Sequence, residues 1–145
     1  MPDRIDRDTW ALMLANITAQ RATCRRRKVG AIFLNKKGHV IATGYNGNAS
    51  GLPHCLDHPC NAATSASGTN LEACQALHAE QNALLQCKDV YEIDTAFITT
   101  SPCMTCTKLL LNTSCHRIVF IEDYPHSDAK NLWESANRVW QKFST

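Results

Sequence analysis

The chain has 145 residues, a length that suits a single domain over residues 1–145 with a real core. Its net charge of +2 is too small to mark a polynucleotide binder, so no nucleic-acid partner is expected. No apolar run could span a bilayer, and the polar start (Asp3, Arg4, Asp6, Arg7, Asp8) lacks the apolar centre of a signal peptide; no membrane partner and a cytoplasmic location are the expectation.

Asp6 or Asp8 can cap a first helix, in which Trp10, Met13, Leu14 and Ile17 recur at helical spacing and form one apolar stripe. Arg21, Arg25 and their neighbours place positive charge at its C-terminal end, which suits the helix dipole. Residues 29–34 read as a buried strand, 35–38 as a turn, and 39–45 as the partner strand of a hairpin. Residues 46–71 form a long stretch rich in Gly, Ala, Ser, Thr and Pro, a length that marks a functional or disordered loop. Within it, 62–70 has almost no core-forming side chains and is expected to be exposed and mobile. Residues 72–85 read as helical, 95–100 as a third strand, 103–111 as the next helix and 117–121 as a fourth strand. Residues 128–136 read as helical, and 138–143 as a short last strand or the tail of that helix. Strands alternating with helices imply an α/β layered domain with crossover connections.

The eight cysteines (Cys24, Cys55, Cys60, Cys74, Cys87, Cys103, Cys106 and Cys115) read as metal ligands rather than a disulfide framework in a chain expected in the cytosol. The strongest signal is Ser101-Pro102-Cys103-Met104-Thr105-Cys106 taken with His78-Ala79-Glu80. Two cysteines three apart, after a proline and before an apolar helical run, put two thiols on one face of a helix's first turn, where thiolates are favoured. Two thiolates and the His78 imidazole make a three-ligand zinc site with a fourth position for water, the catalytic kind. Glu80 stands beside the metal as a proton carrier. A structural zinc knuckle is the alternative, but it requires a fourth strong ligand close by, and Met104 and Thr105 do not qualify. His78 and Glu80, two residues apart, can share a pocket only if both lie in the irregular first turn of the helix.

His-x-Glu followed by Pro-Cys-x-x-Cys is the signature of zinc-dependent nucleobase deaminases. The sequence resembles the cytidine/deoxycytidylate deaminase superfamily, and within it the deoxycytidylate (dCMP) deaminases. The stretches that carry the likeness are Cys24 with Lys28-Val29-Gly30-Ala31, Gly44-Tyr45-Asn46-Gly47, Gly51-Leu52-Pro53-His54-Cys55, His78-Ala79-Glu80-Gln81-Asn82-Ala83, residues 100–106 and Glu122-Asp123-Tyr124. The resemblance implies a three-layer αβα fold around a mixed, roughly five-stranded sheet. It implies a zinc-dependent hydrolase of a cyclic amidine C–N bond, converting dCMP to dUMP and ammonia and feeding thymidylate synthesis. It further implies a homohexamer activated by dCTP and inhibited by dTTP, with part of that regulation placed in the loop 44–47.

On the same resemblance, Asn46 matches an asparagine that holds the sugar and Tyr124 an aromatic near base and sugar; Ser101 belongs to the substrate-binding set. Plain turn chemistry is the alternative for Asn46, and ordinary packing for Tyr124. Arg26 and Lys28 are candidates for the 5′-phosphate, because a dianion requires charge-assisted donors. The alternative for residues 25–28 is a solvated helix end, with Arg25 and Arg27 at the surface. Cys24, Cys55, Cys60 and Cys74 can hold a second, structural zinc, with His54 and His58 as competing ligands; the alternative is a set of unpaired buried thiols. Cys87 and Cys115 read as ordinary helix and loop thiols. Two rival functions remain. One is deamination of free cytidine or of adenosine in tRNA, and the other is a non-catalytic zinc module that senses nucleotides.

Overall fold

The computed structural model describes residues 3–24, 27–52, 76–125 and 128–144. In chain order the elements are α1 (Arg7–Ala19), β1 (Gly30–Leu34), β2 (Val40–Tyr45), β3 (Gly47–Asn48), β4 (Ala76–Leu77), α2 (Ala79–Gln86), β5 (Thr95–Thr100), α3 (Met104–Leu111), β6 (Arg117–Glu122), α4 (Ala129–Ser135) and β7 (Val139–Lys142). Strand β1 is buried over its whole length because its side chains alternate between two cores. Ala31 and Phe33 join one core, and Ile32 and Leu34 join the other. A strand covered on both faces reads as a continuous apolar run, and Ala-Ile-Phe-Leu is one.

The main sheet has five strands in the order β2-β1-β5-β6-β7. β1 runs antiparallel to both β2 and β5, whereas β5, β6 and β7 are mutually parallel. Helix α1 covers one face, setting Ala11, Leu12 and Ala15 against Ile32, Leu34, Phe97 and Val119. On the other face α2, α3 and α4 contribute Ala79, Ala83, Leu110 and Trp133 to a core with Phe33, Ile98 and Phe120. The expected three-layer αβα fold on a mixed five-stranded sheet is thus present. Residues 138–143 resolve as a strand, parallel to β6, and not as a helix tail. No helix among the described residues is long and apolar enough to cross a membrane.

Two expectations are corrected. Asp6 caps α1 by accepting the Thr9 N–H at 2.8 Å, but the stripe Trp10, Met13 and Ile17 faces outward, with Met13 58% and Ile17 66% exposed. The inward face is Ala11, Leu12, Ala15 and Ala19. The reason is close approach: a Cβ on Gly30 would lie 2.0 Å from the Ala15 carbonyl oxygen and 2.8 Å from the Ala19 nitrogen, so small side chains line the helix at that contact while Leu12 packs farther along the sheet. The helix expected over 72–85 begins only at Ala79. Before it, Ala76–Leu77 pairs antiparallel with Gly47–Asn48 as a two-stranded ribbon, and 72–75 lie outside the described residues. The stretch 62–70 lies outside them as well.

Helix α2 seats on β2 as tightly as α1 does on β1. A Cβ on Gly44 would meet the Ala79 carbonyl oxygen at 2.2 Å and the Ala83 nitrogen at 2.5 Å. We therefore expect Gly44→Ala to lower stability by about 1–3 kcal/mol through overpacking. Met13→Gln, on the outward face of α1, should change it by less than about 0.5 kcal/mol. Chemical denaturation of the two variants checks both, and a cost at Met13 equal to that at Gly44 would refute the assigned helix face.

Candidate active site

Strand β5 ends at Thr100 and passes through Ser101 and Pro102 into α3. Cys103 is the N-cap of α3, with extended backbone (φ −71°, ψ 174°), and its Sγ accepts the Cys106 N–H at 3.5 Å. His78 is the N-cap of α2, also extended (φ −74°, ψ 157°). Gln81 holds it there: its Oε1 accepts the His78 N–H at 2.8 Å, one half of a capping box. His78 Nδ1 then lies 3.5 Å from Cys103 Sγ and 3.3 Å from Cys106 Sγ. Among the described residues these three side chains form the group able to hold a metal ion, with donor atoms all within 4.8 Å of one another.

Glu80 is 4% exposed and sits in the first turn of α2. Because His78 precedes the helix, the two residues escape the divergence that regular helical geometry would impose. Burial pushes the Glu80 carboxyl above the usual carboxylate range, against its own backbone hydrogen bond and the attraction of His78 and Arg27. The Cys103 thiol is lowered to about 4, first by its hydrogen bond with Cys106 and then by His78, despite burial. His78 is raised in turn by its hydrogen bond to Cys103. The Cys106 thiol is pushed up by the hydrogen bond with Cys103, by burial and by Glu80. The protein alone thus accommodates one thiolate at this point. A second thiolate requires a cation in place of the proton, and two thiolates with an imidazole are a soft three-ligand set that suits zinc and leaves one position open.

Ser101 and Tyr124 close one side of the group. Ser101 Oγ accepts the Tyr124 N–H at 2.7 Å, and the Ser101 N–H donates to Glu122 O at 2.8 Å. Tyr124 packs with Cys103 and Cys106 in one buried cluster. The Arg27 guanidinium lies over its ring, 4.5 Å from the centroid. Arg27 is therefore part of the site, contrary to its assignment as a surface residue. Lys28 is not brought together with the metal-ligating group; it lines a separate crevice with Gln20, Thr100 and Glu122 on the α1 side. The alternation of β1 continued backwards accounts for this, since Val29 shares a core with Ala31 and Phe33 and odd-numbered residues face α2 and α3. Arg26 lies outside the described residues.

Asn46 is buried, and its amide serves the backbone that carries Arg27: Oδ1 accepts the Val29 N–H and Nδ2 donates to Arg27 O, both at 2.8 Å. Asn82, which sequence reasoning left without a role, donates from Nδ2 to Tyr45 O at 2.8 Å and ties α2 to the end of β2. Gln81 was also missed, although glutamine three residues after a capping position is a readable signal. Arg27 had a signal too, in the parity of residues before a doubly buried strand. Cys24 is buried, while Cys55, Cys60, Cys74, His54 and His58 lie outside the described residues. Cys87 ends α2, and its thiol is raised by burial. Cys115 is pushed up to about 12 by burial, so both are uncharged packing thiols at neutral pH.

Residues 5–122 match the model of the cytidine and deoxycytidylate deaminase zinc-binding region. The chain is similar to the deoxycytidylate deaminase of Saccharomyces cerevisiae, with 35% identity over 119 residues that cover 81% of this chain and 38% of that protein. It is 36% identical over 123 residues to the deoxycytidylate deaminase of Mycobacterium phage D29, covering 81% of this chain and 95% of that one. The chain spans little more than a third of the two yeast relatives it matches, 38% and 37%. Among solved structures it resembles the dCMP deaminase of cyanophage S-TIM5 in complex with dCMP and dUMP, at 27% identity and a TM-score of 0.72, covering 93% of this chain and 95% of the other.

Gln81 orients the His78 backbone and, through it, the imidazole. Gln81→Ala is expected to weaken zinc affinity about 10–100-fold with the fold intact. Competition with a zinc chelator, followed by metal analysis, measures it, and an affinity equal to that of the parent would remove Gln81 from the site.

Proposed function

The chain belongs to the family of cytidine and deoxycytidylate deaminases, and on that premise we infer that it hydrolyses dCMP to dUMP and ammonia. The observation that carries this reading is the convergence of His78, Cys103 and Cys106 beside a buried carboxyl, Glu80. His78, Cys103 and Cys106 would hold zinc, which when bound supplies the Lewis acidity that makes water nucleophilic near neutral pH. Glu80 carries the protons. Its carboxylate takes one as water attacks C4 of the cytosine and delivers it to N3, then takes the proton of the new C4 hydroxyl and passes it to the amine, which leaves as ammonia while the C4 carbonyl forms. Burial serves this role, because a carboxyl raised toward neutrality both accepts and releases a proton readily.

Tyr124 is proposed to line the base and sugar, and Ser101 to fix it there through the Tyr124 N–H. Asn46 uses one Nδ2 hydrogen on Arg27 O, and its second hydrogen is the donor proposed for the sugar hydroxyl. Arg27, beside Tyr124, is the described cation best placed for the 5′-phosphate, with Arg26 as the second candidate and Lys28 on the other side of the sheet. Activation by dCTP, inhibition by dTTP and a hexameric assembly belong to the same reading. The regulatory part is supported by a cleft of about 380 Å³ beside the loop 44–47, lined by Arg21, Thr23, Tyr45, Asn48, Asn82 and Gln86. A second zinc on Cys24, Cys55, Cys60 and Cys74 is supported by Cys24, which is buried beside Thr23, the residue whose Oγ1 accepts the Asn48 N–H at 3.2 Å. On this reading the protein supplies dUMP for dTTP biosynthesis.

Glu80→Gln separates an enzyme from a nucleotide sensor. Zinc content should be retained while kcat for dCMP falls by about 10²–10⁴-fold. Deamination that persists with zinc bound would reject the proton-carrier role. Arg27→Ala should raise KM for dCMP about tenfold or more, the worth of a charge-assisted contact, and leave deoxycytidine almost unchanged. Parallel steady-state assays on the two substrates check this, and equal effects on both would dismiss the phosphate assignment.

A further inference from the structure

A second constellation lies at the opposite end of the sheet from the His78 group. Strand β1 separates the two, with Gly30 at the active-site end and Leu34 leading into the other, about 15 Å away at ordinary strand rise. There the start of α1 and the β1–β2 turn enclose a cleft of about 870 Å³ lined by Arg4, Asp6, Arg7, Trp10, Lys37 and His39. Ile5 and Gly38 complete its wall.

The cleft carries an excess of positive charge, with Arg4, Arg7 and Lys37 against the carboxylate of Asp6. The described ion pairs are His116–Asp94, Arg117–Asp8 and Lys142–Asp123, and none includes Arg4, Arg7 or Lys37. Asp6, the one acid in the wall, is already committed to the Thr9 N–H at 2.8 Å, and that hydrogen bond lowers its pKa. The turn that carries Lys37 and His39 is also held in place. Asn35 Oδ1 accepts the N–H groups of Lys37 and His39, both at 3.0 Å, so the turn presents the two side chains from a fixed backbone. Gly38 has φ +82°, and a Cβ there would strike the Arg7 guanidinium at 2.7 Å; the arginine lies directly on the turn. Trp10 adds an indole that is 36% exposed.

We propose that this cleft binds a nucleoside polyphosphate, its phosphates on Arg4, Arg7 and Lys37 and its base against Trp10. The volume falls in the range of small-molecule sites. Guanidinium and ammonium groups suit a polyphosphate, and an exposed indole suits a purine or pyrimidine face. A longer nucleic acid would need a basic track beyond the cleft, and the net charge of +2 does not supply one.

The test uses the full-length, zinc-loaded protein. ATP, tripolyphosphate, adenosine and a short oligothymidylate are titrated separately, with tryptophan fluorescence and calorimetry as readouts. ATP should bind saturably and quench the Trp10 emission, and tripolyphosphate should bind without the quench. Arg7→Glu with Lys37→Glu should weaken ATP about tenfold or more, and Trp10→Ala should weaken ATP but not tripolyphosphate. Circular dichroism confirms that each variant is folded, and Arg4→Glu with Lys37→Glu repeats the test should the Arg7 variant unfold. Absence of saturable ATP binding, or ATP affinity indifferent to these charge reversals, would overturn the proposal. Tighter binding of the oligothymidylate than of ATP would overturn it in favour of single-stranded nucleic acid.

Discussion

The contact of His78 Nδ1 with two thiols, at 3.5 and 3.3 Å, joins the starts of two helices that reach the sheet by different routes. Both His78 and Cys103 are N-caps, extended in backbone and still outside the helical turn. Their side chains meet because α2 and α3 begin at the same place. Backbone N–H groups without intrahelical partners also collect there, and they favour negative charge. A site that must keep thiolates is therefore served twice by its position, once by geometry and once by the field of two helix ends.

This meeting depends on how closely α2 lies on the sheet. Gly44 admits the Ala79 carbonyl, and Asn82 ties the same helix to Tyr45 O. A larger residue at Gly44 would lift α2 and draw His78 away from Cys103 and Cys106, whose own place is set by β5. The substrate side has a parallel dependence. Asn46 grips Arg27 O and Val29 N, Arg27 lies on Tyr124, and Ser101 holds the Tyr124 N–H. One buried amide thereby links the loop after β2 to a ring that packs on the metal-ligating cysteines.

Strands β1, β2, β5 and β6 were readable because each contains an apolar run of strand length, and Thr95–Thr100 and Arg117–Glu122 fall where the pattern puts them. The metal ligands were readable because capping position and ligand chemistry coincide in a short motif. The inward face of α1 was not. Spacing ranks Trp10, Met13 and Ile17 above alanine, whereas contact with β1 across Gly30 favours Ala15 and Ala19, and Ala11 and Leu12 complete the buried face. The start of α2 was hidden for a related reason: residues 76 and 77 have helical neighbours in sequence but pair with β3. Arg27 and Lys28 are chemically alike, and only the alternation of the adjoining strand assigns one to each side of the sheet.

The same alternation sets the charge of the pocket. Bound by two thiolates, a divalent cation is neutralised, and the charges that remain are those of Glu80 and Arg27. Were Lys28 also on this side, the surplus positive charge would favour an ionised Glu80 and draw its pKa down toward that of an ordinary carboxylate. With Arg27 the cation beside Tyr124 among the described residues, burial is the dominant influence on Glu80 and holds its pKa high. The parity of the residues before β1 thereby puts Arg27 over Tyr124, keeps Lys28 on the other side of the sheet, and leaves burial as the main influence on the carboxyl.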